Sequence, residues 1–121
     1  MKNYRLSFGT INIINNKLAE VIVDEGVEMD EAMVDEYHDF LLDNLEAPFS
    51  LLVNKKHAYS YTFQAQRKIV SLEEIKNIAI IIGSSGALMS IKTLLAINGN
   101  TYKNIEMFQK REEALVWLGV G

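Results

Sequence analysis

Apolar positions change period along this chain, and the clearest stretch runs from Lys76 to Leu118. It reads strand, helix, strand, helix with almost nothing between the elements. The spacing predicts strands over Asn77–Ile82 and Tyr102–Phe108 and helices over Ser85–Asn98 and Gln109–Leu118. Five apolar residues in a row, Ile78–Ile82, followed by Gly83, imply an interior parallel strand covered on both faces. In the last helix Ala114, Leu115 and Leu118 face the core with Trp117 alongside, and Gly119 ends it.

The N-terminal half is patterned differently. Tyr4–Phe8, Thr10–Asn15 and Lys17–Val23 are short strands, with Asn15-Asn16 as the turn of a hairpin. Tyr4–Phe8 is either an edge extension of that hairpin or a lead-in to it. A helix is predicted from Asp30 to Leu45, capped by Asp30, with an apolar stripe of Met33, Val34, Tyr37, Phe40, Leu41 and Leu45. His38 and Asp39 fall at or beyond the edge of the stripe, and Pro48 closes the element. Phe49–Val53 is a compact strand and Asn54–Tyr61 its polar exit. Thr62 caps a short helix through Val70, and Ser71 with Glu74 forms a capping box before the next strand. The expectation is one α/β domain over residues 1–121, its core spanning 10–118. Its sheet should be mixed and mostly parallel, with about five strands, an N-terminal antiparallel hairpin and helices on both faces.

Composition narrows the function classes. The 121 residues include no cysteine, which excludes disulfides, zinc–thiolate sites and thiol catalysis. Apolar runs stop at five residues and the start, MKNYRLSFGT, has no signal-like stretch, so a cytoplasmic protein without membrane insertion is expected. The net charge of −4 is unevenly placed: eleven of the sixteen acidic residues lie between Glu20 and Glu46, with no Lys or Arg from Leu18 to Asn54. Such a helix face repels nucleic acid, and the nine basic residues from Lys55 onward are too sparse for a phosphate track. The acidic face reads as a solvated surface or as a docking surface for a basic partner.

Candidate chemistry is thin. Gly83-Ser84-Ser85-Gly86 follows an apolar strand and opens a helix, so its N–H groups suit a small anion. It lacks the length and lysine of a nucleotide-binding loop, and the ordinary reading is a serine-capped turn. His38 and His57 read as exposed and too few for a metal site. The carboxylate pairs Asp35/Asp39 and Glu112/Glu113 lie on outward helix faces. The loop Asn54–Tyr61 sets Lys55, Lys56 and His57 beside Tyr59, Ser60 and Tyr61, a mixture that suits protein contact or a small anionic ligand.

From Thr10 to Leu118 the chain resembles the small bacterial STAS/SEC14-like proteins of the SpoIIAA-like fold. The echoes are Gly26-Val27-Glu28 before an acidic helix, Leu51–Val53 ending a strand, and Ala79–Ile82 before a serine-led helix. The tail Met107-Phe108 and Glu112–Leu118, of the E-E-A-L-x-W-L type, is the most specific piece. The resemblance implies a mixed, mostly parallel sheet with helices on both sides and usually no enzymatic activity; no cofactor is expected. In anti-sigma-factor antagonists of the wider group a serine at a helix start is phosphorylated to control a partner kinase. The matching exit here, Asn54–Thr62, lacks the D-S-[ST]-G motif and offers only Ser60 and Thr62, so Ser60 is the modification candidate.

The expected function is a non-enzymatic, STAS-like regulatory or protein-interaction domain. Its contact surface is Lys55, His57, Tyr59, Ser60, Tyr61, Ser84 and Ser85, and its protein partner is unknown. The alternatives are a binder of a small apolar or anionic ligand, seated between the sheet and a flanking helix, and a hydrolase using Ser84 or Ser85 with His38 or His57. Strand edges of the hairpin suit a homodimer, and a blunted edge fits equally.

Overall fold

A computed structural model describes residues 2–69, 71–82 and 104–120. Its strands are β1 (Lys2–Arg5), β2 (Gly9–Asn15), β3 (Leu18–Val23), β4 (Glu28–Met29), β5 (Phe49–Lys55), β6 (Ser60–Tyr61), β7 (Ile75–Ile82) and β8 (Asn104–Phe108). The helices are α1 (Glu31–Asn44), α2 (Phe63–Lys68) and, as numbered here, α3 (Arg111–Trp117). The predicted Ser85–Asn98 helix, the Gly83–Gly86 turn and the contact residues Ser84 and Ser85 lie outside the described residues.

The main sheet has the order β1-β2-β3-β5-β7-β8. β1, β2 and β3 pair antiparallel, whereas β3-β5, β5-β7 and β7-β8 are parallel. The sheet is therefore mixed and mostly parallel, with one strand more than the expected five. The extra strand is β1, which forms the edge-extension arm of the N-terminal meander. Gly9 opens β2 where the chain passes so close that a Cβ would collide with the Ile22 carbonyl. Phe8, just before it, is fully buried.

Alternation along the strands divides the interior into two layers. Ile78 and Ile80 of β7 pack with Val21, Leu51 and the α1 residues Val34, Tyr37 and Leu41 on one face. Ala79 joins Leu18, Leu52 and Ala114 on the other, beneath α3. The five-residue apolar run thus exists because both faces of β7 are covered. The described residues form a single α/β domain with helices on both faces.

Local chemistry sets the helix ends. The Asp30 side chain accepts from Met33 N at 2.9 Å, and the Leu45 N–H donates to Leu41 O at 2.9 Å. Thr62 caps α2 by accepting from Ala65 N at 3.2 Å. The capping box expected at Ser71–Glu74 opens no helix; the segment is a turn leading into β7.

Candidate functional site

β5 runs two residues beyond the predicted end at Val53, and this extension builds the site. Phe49, Leu51, Val53 and Lys55 all fall on the face toward α1 and α2, because successive strand residues alternate. Lys55 is therefore turned inward, 5% exposed, instead of reaching into solvent from a loop. The chain then turns back: Gly26 N donates to Ala58 O at 2.7 Å, and Ala58 N donates to Glu25 Oε2 at 3.1 Å. Gly26 has φ of 79°, which only glycine adopts without strain. β6 pairs parallel with β4, matching Ser60 to Glu28 and Tyr61 to Met29. What the sequence presents as a polar exit is a second, two-stranded sheet stitched to the turn after β3.

This stitching holds Tyr59 and Tyr61 over the end of the main sheet. The rings lie 5.5 Å apart at 68°, and their hydroxyls are 3.2 Å from one another. The Lys55 ammonium sits over the Tyr59 ring, 3.9 Å from its centroid, and 5.1 Å from that of Tyr61. Among the described residues no carboxylate forms an ion pair with Lys55, and the sequence from Gly83 to Asn104 contains no acidic residue. Burial lowers the Lys55 pKa from 10.5 to about 8. Burial also raises the phenols of Tyr37, Tyr59 and Tyr61, which stay neutral donors at physiological pH.

Below the tyrosines lies an apolar cavity of about 40 Å³, walled by Phe8, Met29, Tyr37, Val53, Tyr59 and Tyr61 among others. A second of about 40 Å³ continues toward Ile78, Ile80 and Ile105 and shares Tyr37, Val53, Tyr61 and Ile69 with the first. Phe8 and Tyr37 meet edge to face, 5.9 Å apart.

The remaining candidates take other places. Ser60 is exposed beside Glu28, away from the Lys55 ammonium. His57 is partly buried near Asp24, whose carboxyl is held low by its hydrogen bond to Arg5, with a smaller pull from His57. His38, expected to be exposed, is buried; a carbonyl can only accept, so its Nε2–H donates to Ile69 O at 3.1 Å. That nitrogen is thereby occupied and offers no base to a serine. On the opposite sheet face Glu20, 4% exposed, accepts from Arg111 Nε and Nη2 at 3.2 and 2.9 Å and from Asn54 Nδ2 at 3.1 Å.

Sequence reading placed Ile69 facing inward but missed the wall contributed by Phe8 and the burial of Lys55. The parity of β5 carries that last signal. No group of three His, Cys, Asp or Glu residues among the described residues is placed to hold a metal ion, and no described helix is long and apolar enough to cross a membrane. Comparisons with protein-family models, curated proteins and solved structures give no match to this chain.

Proposed function

We propose that the chain is a non-enzymatic binding domain and that it binds a small, largely apolar molecule in the niche beneath Tyr59 and Tyr61. The supporting observation is the inward turn of Lys55, Tyr59 and Tyr61, three of the residues expected to meet a partner. A protein-contact surface presents its aromatic and basic groups outward. Here Lys55 is buried, and Tyr59 and Tyr61 wall an apolar cavity at the carboxyl end of parallel strands. Native mass spectrometry on protein purified gently from its own cells tests this. A stoichiometric small organic mass, released on denaturation, is expected; bare protein, or protein carrying only a second polypeptide, contradicts the reading.

A regulatory role of STAS type is the second reading, and Ser60 is the residue that favours it. Its side chain is exposed on β6 and in register with Glu28. A phosphate there would bring about −1.5 to −2 charge against Glu28, with Lys55 held under the rings and unable to offset it. Modification would thus part β4 from β6 and open the niche. Phosphopeptide mapping across growth conditions is expected to find Ser60 modified in some of them; an unmodified serine throughout removes this reading.

A further inference from the structure

We infer that the niche is specific for a short apolar carboxylic acid, whose tail fills the cavity while its carboxylate is held by the Lys55 ammonium. This rests on the proposed niche and adds the class of ligand. Two independent observations converge on it. The cavity accounts for the tail: its walls are almost wholly aliphatic and aromatic, leaving an interior that gains nothing from a polar body. The ammonium accounts for the head. Lys55 lines neither cavity, but it is the next residue after Val53 on the same face of β5, and its ammonium lies 3.9 Å from the centroid of the Tyr59 ring, itself a wall, so a cation stands at the cavity's edge.

A buried ammonium is costly unless paired. Here the faces of Tyr59 and Tyr61 provide its attractive contacts, and no described carboxylate forms an ion pair with it. The acidic residues that the fold brings beside Asn54, His57 and Ala58 are engaged or face elsewhere. Glu25 accepts from Ala58 N, Asp24 pairs with Arg5, and Glu20 is held by Arg111 and Asn54 on the far side of the sheet. A ligand carboxylate would supply the missing countercharge. The hydroxyls of Tyr59 and Tyr61 are hydrogen-bonded to each other at 3.2 Å, which leaves the pair one further O–H to donate. The cavity bounds the tail. At about 10–15 Å³ per water-sized body, the two adjoining cavities of about 40 Å³ each together take about five to eight such units, which selects a tail of about five or six carbons rather than a long acyl chain.

Hexanoate and 1-hexanol, titrated separately by calorimetry into the full chain and into Lys55→Met, separate the head from the tail. At pH 7 the parent chain is expected to prefer the acid by about 10- to 100-fold, the range of a charge-assisted hydrogen bond. Above pH 8, where most of the free ammonium has lost its proton, the acid's affinity should fall by up to about tenfold per pH unit. In the variant, the ratio of acid to alcohol affinity should collapse to one or below. Alcohol binding as tight as the acid's in the parent chain overturns the inference and leaves the niche intact. So does an acid preference that survives Lys55→Met or that shows no decline up to pH 10. Failure of both probes to bind the parent chain removes the niche as well. The pH series uses the parent chain alone, so it decides the matter even if the variant misfolds.

Discussion

Lys55 is a residue whose own fold pays for its placement. Its pKa drops from 10.5 to about 8, which caps the cost of keeping it charged in the folded chain at about 3 kcal/mol. The tyrosine rings return part of that. Lys55→Met should therefore raise stability at pH 7 by about 1–3 kcal/mol, measured by urea unfolding. The sign with pH follows from the same shift. Between pH 8 and 10.5 the unfolded chain still holds a proton that the folded chain has released, so stability rises with pH across that window. The raised phenols oppose this above pH 10, so the comparison belongs between pH 8 and 10. A steeper rise in the parent than in the variant is expected; parallel curves contradict it.

His38 has a consequence of the same sign on the acid side. Burial lowers its pKa, with Asp35 and Asp39 pulling it up and Lys68 down. The folded chain resists a proton that the unfolded chain takes near 6.5, so stability is complete above that pH and declines as pH falls through it. His38→Gln, whose amide still donates to Ile69 O, should flatten the melting-temperature curve between pH 7 and 5. Equal slopes would place the acid sensitivity elsewhere. Periodicity put His38 at the rim of the helix stripe because an imidazole counts as polar. Its partner, a backbone carbonyl 31 residues on, has no sequence signature.

At the scale of elements, α3 has a short apolar face and no side-chain cap, and is tied down by an ion pair reaching across the sheet. Arg111→Met leaves Glu20 buried without its main partner and should cost about 3 kcal/mol. Replacing Glu20 by Met as well should recover most of the loss, which a double-mutant cycle in urea reads directly. Additive losses would show that Arg111 acts through packing alone.

Elements with strong periodicity were legible. α1 matches its predicted span to within a residue at each end, and the unbroken apolar run of β7 announced its two covered faces. β4 and β6 were not, because two-residue strands carry no period and exist through tertiary hydrogen bonds such as Ser60 N to Val27 O. Those two strands position the site, so the loop residues were found but their orientation was not. Only the parity from Phe49 to Lys55 recorded that Lys55 points inward.

For the whole molecule, the sheet separates two interiors with different tasks. Among the described residues the α3 face carries a small core of Leu18, Leu52, Ala79 and Ala114 locked by Glu20 and Arg111. The α1/α2 face carries the main core and also the cavities, gathered where Tyr59 and Tyr61 close the carboxyl end. The overall α/β architecture was legible from the order of elements, whereas a cavity, which depends on how side chains fail to fill space, leaves no mark on a linear sequence.

The most direct test of the binding account is methyl NMR of the full chain, with Ile, Leu and Val labelled, titrated with 1-hexanol. An alcohol probe keeps the outcome independent of Lys55. The account predicts saturable shifts that begin at Val53 and Ile69 on the α1/α2 face and leave Leu52, Ile81 and Leu115 on the α3 face nearly unchanged. Shifts that never saturate, or that appear first on the α3 face, would contradict it.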